Sequence, residues 1–371
     1  MGRDTYAALA DLPVRIGDWS ISIQQRRTSG GSDRTTSVIS IAGDGAVGRG
    51  EDVTYEPGLH EQLAADPPDL SLDGEYTLRS ASAQLEEVAL FPAGPPERAG
   101  FQQYRRWGFE SACLDLALQQ AGTDLAGVLD RERTPVRFLV STGLGNPPSA
   151  DPIEEWLAID PSLEFKIDLT QRPTPDVLDR IVETGAIAAI DLKAHYAGLQ
   201  KDVSADGETP SWIGDPAPDP DFYEAVLEAF PDTVIEDPAV TEATRQLLEP
   251  ASDRIAWDAP VHSVAEFDDV PLDVGRCNVK PSRFGTIQHL CEFVDYARDR
   301  GIDLYGGGQF ELSVGRGHLH DLASLWYPDG PNDVAPRAYN APEPRAGLPS
   351  SPLEVPEPSP GFGWPAPDES L

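Results

Sequence analysis

Basic groups are scarce in this 371-residue sequence: 28 Lys+Arg stand against 63 Asp+Glu, for a formal charge of −35. Lysine is scarcer still, with only Lys166, Lys193, Lys201 and Lys280, all in the middle of the chain. Duplex nucleic acid and anionic membrane surfaces recruit proteins through basic patches, so neither is expected as a partner of so acidic a chain. Long apolar runs are also missing. No window approaches 18 uninterrupted apolar residues, and the start, MGRDTYAALADLPV, has no basic segment leading into an apolar one, so a soluble, cytoplasmic protein is expected. The three cysteines, Cys113, Cys277 and Cys291, are odd in number and lack CxxC spacing. They suggest neither a disulfide framework nor a zinc site and are expected as small buried hydrophobes.

An acid excess with lysine depleted resembles the composition of halophilic proteins, whose surroundings screen the self-repulsion that such a charge would otherwise cause. Where surface lysine has almost gone, each lysine that remains is a candidate for a specific task. Hydrophobic residues still make up 40% of the chain, enough for a real core.

The first hundred residues read as strands and turns followed by helix. RIGDWSISIQQR and SVISIAGDG form a predicted hairpin with a long polar tip, TSGGSDRTT, and GAVGRGEDV supplies a further strand. WGFESACLDLALQQAG places Phe109, Cys113, Leu116 and Leu118 near helical spacing, a helix with one apolar stripe. After Pro135 short Val/Ile/Leu-rich runs alternate with segments of helical period, at 136–140, 163–168, 186–191, 233–237, 254–258, 276–280 and 302–307. Runs apolar on both sides suit parallel strands buried on both faces, and seven such units at this spacing favour a (β/α) barrel over an open sheet. No GxGxxG or GxxxxGK[ST] follows any of them, which argues against nucleotide binding. Residues 336–371 hold 10 of the 36 prolines and should run extended over another surface. The expected organisation is an α+β capping domain over 1–134, an α/β domain built as a modified TIM (β/α) barrel over 135–335, and a Pro-rich strap over 336–371 packing on the cap.

The chemistry is in how the strands end. Three successive runs finish in acid, at Asp191, Glu236 and Asp258, and the next finishes at Lys280. In a βα barrel the C-terminal strand ends converge on one mouth, where three carboxylates would repel one another unless a cation sat among them. Oxygen ligands suit a hard divalent ion, so the constellation reads as a Mg²⁺ site, with Mn²⁺ as an alternative occupant. Lys166 and Lys280 fall on strands at either side of the three acids, placed to take or return a proton α to a small-molecule carboxylate bound at the cation.

These residues resemble the enolase superfamily, on the branch of the muconate-lactonizing and mandelate-racemase-like enzymes. WGFESACLDLAL (107–118) is similar to the family's helix preceding the barrel, VIEDP (234–238) to its fourth-strand signature and NVKPSRFG (278–285) to its sixth-strand lysine segment. GGGQFELSVGR (306–316) is similar to its seventh-strand turn, and LEVPEPSPGFG (353–363) to its closing tail. The resemblance implies Asp191, Glu236 and Asp258 as metal ligands and Lys280 as acid/base. It also implies members that often associate as homo-oligomers. Two positions depart from the pattern. The second-strand Lys-x-Lys stands here as Lys166-Ile167-Asp168, which puts two-base racemisation in doubt, and the third-strand Asp-x-Asn stands as Asp191-Leu192-Lys193. Lys193 could bind a substrate anion, pair with Asp168, or replace the missing base.

Substrate selection is expected from the hairpin tip, where Arg26 and Arg27 are candidates for an anionic group, and from the insertion at 198–221, in which Trp212 could point inward. Glu311 and Arg316 could pair and shape the pocket floor. His318 and His320 read as surface or packing residues. The resulting expectation is a Mg²⁺-dependent lyase or isomerase acting through an enolate: a cycloisomerase, a dehydratase, or a lyase resembling o-succinylbenzoate synthase. The alternative is a non-catalytic metal-binding or carboxylate-binding barrel closed by salt bridges, which Lys193 bonded to Asp168 in a filled mouth would favour.

Overall fold

The computed structural model describes residues 4–29, 31, 33–194 and 219–366. Lys201 and Trp212 lie outside them. The N-terminal part is built on an antiparallel meander of β2 (Asp18–Arg27), β3 (Asp33–Gly43) and β4 (Ala46–Asp52), beside a short pair of β1 (Pro13–Ile16) and β5 (Gly74–Thr77). The hairpin tip is shorter than the sequence suggests, because the polar stretch Asp33–Ser37 belongs to β3. Thr36 and Ser37 tolerate burial there because Thr36 donates to Glu51 at 2.7 Å and Ser37 bonds His60 at 2.9 Å.

The helix Gly100–Gln120 is buried on nearly every face from Arg105 to Leu118, and not along one stripe as its periodicity suggests. It is clasped between the meander and the short helix Pro281–Phe284 of the second domain. The meander approaches it at glycines: a Cβ on Gly48 would stand 2.2 Å from the Ala112 carbonyl oxygen, and one on Gly50 2.0 Å from that of Gly108. Backbone therefore packs on backbone here, and any side chain at either glycine would force the sheet off the helix.

The second domain is a parallel (β/α) barrel. The strands β6 (Val140–Gly143), β7 (Phe165–Asp168), β8 (Ile187–Asp191), β9 (Val234–Glu236) and β10 (Ile255–Ala256) run side by side in chain order, and β11 (Arg276–Val279) pairs with β12 (Asp303–Gly306). Isolated parallel bridges close the ring, at Trp257–Cys277, Gly307–Asp333 and Phe138–Asn332. The eighth stave, Asn332–Asp333, has no apolar run to announce it. Asn332 does part of the ladder's work with its side chain, accepting from Gly306 N at 2.6 Å and donating to the Arg137 carbonyl at 2.9 Å. Helices cover the outside, among them Pro175–Glu183, capped by Thr174, and Ile287–Arg300, capped by Thr286. Inside the barrel Leu139, Ala189, Val234, Ala256 and Tyr305 form a plug beneath the mouth. The three cysteines are buried thiols.

The C-terminal strap crosses the barrel before it reaches the cap. Leu353 bridges Val136 antiparallel, Gly361 bridges Asp124, and Phe362 stacks on His318 with ring centroids 3.8 Å apart. His318 and His320 are buried packing residues, and burial pushes both imidazoles down to about 3.

Candidate active site

Strand register sets the mouth. A bulge between Phe165 and Lys166 brings Asp168 level with Asp191, and β8 pairs with β9 so that Asp191 is level with Glu236. Three acids therefore stand in a row on neighbouring strands. Asp258 joins them two residues past the end of β10, positioned from below by Asp237. The Asp237 carboxylate accepts the backbone N–H groups of Asp258 and Ala259, each at 2.8 Å. Asp191, Glu236 and Asp258 are fully buried and offer oxygens that all lie within 4.8 Å of one another.

Cations surround this cluster. Lys166, 1% exposed, pairs with Glu236 and lies 3.5 Å from Asp191 and 3.4 Å from Asp333. Burial alone would drive its ammonium towards neutrality, but Glu236, Asp333 and Asp191 outweigh that and hold it well above the ordinary lysine range. Lys193 adopts a left-handed backbone, φ +47°, which folds its side chain back so that Nζ reaches Asp191 at 2.8 Å and Asp168 at 3.1 Å. Lys280 Nζ lies 2.9 Å from Asp258.

Four further residues complete the site without having been singled out from the sequence. The helical turn Pro281–Phe284 swings Arg283 back onto Asp258, at 2.6 and 3.2 Å. Burial would raise the Asp258 carboxyl, but Arg283 and Lys280 hold it well below the usual carboxylate range. Asn278 donates to Glu236 at 3.1 Å, Tyr305 donates to the same oxygen, and Asp333 receives Lys166. A signal existed for two of these: Asn278 and Lys280 are two apart and so share a strand face, and Arg283 follows one helical turn later.

The remaining predicted residues are placed as follows. Glu311 and Arg316 form an ion pair at 3.4 Å, and Glu311 also accepts Gln309 N at 2.7 Å, so it braces the turn after β12. Arg26 and Arg27 are exposed on β2 and are not drawn into the acid cluster.

A divalent cation fits this donor set on charge. Among the described residues Asp168, Asp191, Glu236, Asp237, Asp258 and Asp333 face Lys166, Lys193, Lys280 and Arg283, which leaves two negative charges in excess in a largely buried space. That excess appears at Glu236 and Asp237, where burial and like-charged neighbours push the carboxyls up to about 8 and about 7. Both values would fall if an ion of charge two joined the cluster.

A closed (β/α) barrel under an α+β cap is a fold that this chain shares with solved structures. A muconate cycloisomerase from Pseudomonas fluorescens superposes with a TM-score of 0.64 at 18% identity, over 97% of this chain and 98% of that one. A variant of a muconate cycloisomerase gives 0.64 at 19% identity, over 96% and 98%. A dipeptide epimerase from Methylococcus capsulatus complexed with Mg ion gives 0.62 at 20% identity, over 95% and 100%. No curated protein matches the sequence. The chain belongs to the family described as domain of unknown function DUF8230, whose N-terminal domain matches residues 7–128 and whose C-terminal domain matches residues 132–341. Among the described residues no helix is long and apolar enough to cross a membrane.

Proposed function

We propose that the protein is an enolase-superfamily enzyme that removes a proton α to the carboxylate of a small molecule, with Mg²⁺ or Mn²⁺ held by Asp191, Glu236 and Asp258. The observation that supports this most directly is the buried cluster of three converging carboxylates with its surplus of negative charge and a lysine on either side. When bound, the cation supplies the charge that stabilises the enolate form of the substrate. Lys280, at the rim of the cluster, moves the proton. Lys166 keeps its proton and holds Glu236 in place. With Asp168 where a second base would stand, one-base outcomes such as cycloisomerisation, dehydration or a β-elimination are favoured over two-base racemisation. Arg26 and Arg27 on the hairpin, and Glu311 on the turn after β12, are the substrate-side residues of this reading. The acid excess and the near-absence of lysine support a salt-rich cytoplasm as its setting in this reading.

The test is a screen in deuterated, high-salt buffer, with acid sugars, N-succinyl amino acids, dipeptides and cyclohexadiene carboxylates offered as substrates. Incorporation of deuterium α to the carboxylate that depends on added Mg²⁺ is the expected result. Cation binding is checked separately by melting. An ion present at about 100 times its Kd adds ~2.7 kcal/mol to the native state, so Mg²⁺ or Mn²⁺ should raise Tm over an EDTA control. An unchanged Tm in wild type and in site variants alike would remove the cation from the proposal.

One observation favours a second reading. Lys193 bonds both Asp168 and Asp191, so the barrel could be a carboxylate-binding protein that keeps its acids closed and does no turnover. Cation-dependent melting together with no exchange across the whole screen would select it.

The approach of β12 to Lys280 supplies a further prediction. A Cβ on Gly307 would stand 2.3 Å from Asn278 Oδ1 and 2.7 Å from Lys280 Cε. Gly307→Ala should therefore displace Lys280 and slow proton exchange by about 100-fold, the usual consequence of moving a reacting group by an ångström. Exchange within threefold of wild type would show that the position of Lys280 does not matter.

A further inference from the structure

We propose that Lys193 is a tethered cation that competes with a divalent ion for Asp191, and that Asp168 is the second seat onto which its ammonium moves when the ion binds. The inference rests on the cation site of the preceding section and concerns how that site is filled.

Three observations carry it. The first is geometry. Lys193 Nζ lies 2.8 Å from Asp191 Oδ2 and 3.1 Å from Asp168 Oδ1, so one ammonium already spans a proposed ligand and a carboxylate outside the ligand set. The second is register. β7 and β8 pair with Asp168 level with Asp191, so release from one oxygen leaves the ammonium bonded to the other after a side-chain rotation, with no backbone change. The third is backbone. Lys193 holds φ +47°, a left-handed conformation that strains a non-glycine residue. Its own N–H donates to Asp191 Oδ1 at 2.9 Å, and the next residue's N–H donates to the Asp237 carbonyl at 3.1 Å, which together fix the turn that aims the side chain inward.

The consequence is an exchange of charges. Among the described residues every oxygen of the three proposed ligands already meets a protein donor, and those on Asp191 are Lys193 and Lys166. A carboxylate oxygen can hold a donor and an ion together, but a dication on Asp191 repels the ammoniums that crowd Oδ2, so one lysine must draw back. Lys166 is held on three sides by Glu236, Asp191 and Asp333, whereas Lys193 has Asp168 beside it. The lysine that yields is Lys193, and its contact with Asp168 lowers the cost of yielding.

Mn²⁺ binding to the full-length protein, measured by calorimetry in high-salt buffer, tests this with four proteins: wild type, Lys193→Gln, Asp168→Asn and the double variant. Removing the competitor should tighten Mn²⁺ binding about tenfold or more, and removing its second seat in wild type should weaken it by about as much. Once Lys193 has gone, Asp168→Asn should cost only the loss of a nearby charge, about threefold or less. That non-additivity separates a seat from a general electrostatic effect, which would weaken binding equally in both backgrounds and would overturn the proposal. Melting in EDTA identifies folded variants, and Lys193→Met serves in place of Lys193→Gln should the amide variant fail to fold. If wild type binds Mn²⁺ and neither Lys193 variant binds more tightly, the competition is refuted while the cation site stands. If only the Lys193 variants bind, the ammonium closes the site outright, which is the same competition at its limit. If none binds, the cation site itself is refuted and this inference falls with it.

Discussion

Lys280→Ala should lower the rate of α-proton exchange by about 10³-fold or more, at the upper end of what a single acid/base group supplies, while leaving Mn²⁺ binding intact. The expectation of a selective loss comes from the way Asp258 is held. Its two oxygens are bonded by Lys280 at 2.9 Å and by Arg283 at 2.6 and 3.2 Å. Removing Lys280 therefore leaves Asp258 paired with a guanidinium and adds one net negative charge to the cluster, which favours a cation. Lys166→Ala has a different outcome. Lys166 pairs with Glu236 and reaches Asp191 and the half-buried Asp333, so its loss leaves two buried carboxylates and a half-buried one short of a counter-charge, and Tm should fall along with activity. Exchange at the wild-type rate in folded Lys280→Ala would take Lys280 out of the mechanism.

How much of this could be read from the residue order follows from which interactions are local. Parallel strands buried on both faces appear as apolar runs, so seven staves of the barrel were visible. The eighth is two residues long, Asn332–Asp333, and its ladder partly uses an Asn side chain, so no periodicity marks it. The polar half of β3 was hidden for a related reason: Thr36 and Ser37 are buried only because Glu51 and His60 arrive from elsewhere to bond them. The acids of the site were legible because each ends a strand, and barrel geometry makes strand ends neighbours. Arg283 was harder to see: it follows Lys280 by one helical turn, but as one of 24 arginines it carries nothing that names Asp258, 25 residues earlier, as its partner. Tyr305 lies inside an apolar run and is buried, and nothing in that run announces that its hydroxyl reaches Glu236. For Lys193 the sequence left three roles open, and the structure gives it Asp168 and Asp191 together.

The joint between the domains gives the other large expected effect. Glu51→Ala should cost about 3–5 kcal/mol, because it leaves several buried donors without an acceptor. Glu51 ends β4 in the cap, is 1% exposed, and points across the domain boundary at the start of the barrel helix Val314–Trp326. Ser313, the residue at that helix's N-cap, makes no side-chain capping bond. Glu51 does the capping instead: it accepts Leu312 N at 2.7 Å, Ser313 N at 3.0 Å and Gly315 N at 2.9 Å, and also the Thr36 hydroxyl at 2.7 Å. A carboxylate at a helix N-terminus gains from the helix dipole as well as from the bonds, and here both gains bind one domain to the other. The helix follows directly on the turn that carries Gly307, Gln309 and Glu311. The same turn is held from the cap by Arg34, which donates to the Gln309 carbonyl at 3.0 Å, and by Tyr55, which donates to the Gln309 side chain at 2.7 Å. Loosening Glu51 should thus shift the turn packed against Lys280. For a chain of this length the unfolding entropy converts 3–5 kcal/mol into a fall in Tm of about 4–6 °C. Glu51→Gln, which keeps one acceptor oxygen and turns an amide N–H towards the helix donors, should fall between wild type and Glu51→Ala. A Tm within about 1 °C of wild type for Glu51→Ala would mean that water replaces the carboxylate at no cost, and that the cap is held to the barrel by apolar packing around the helix Gly100–Gln120 alone.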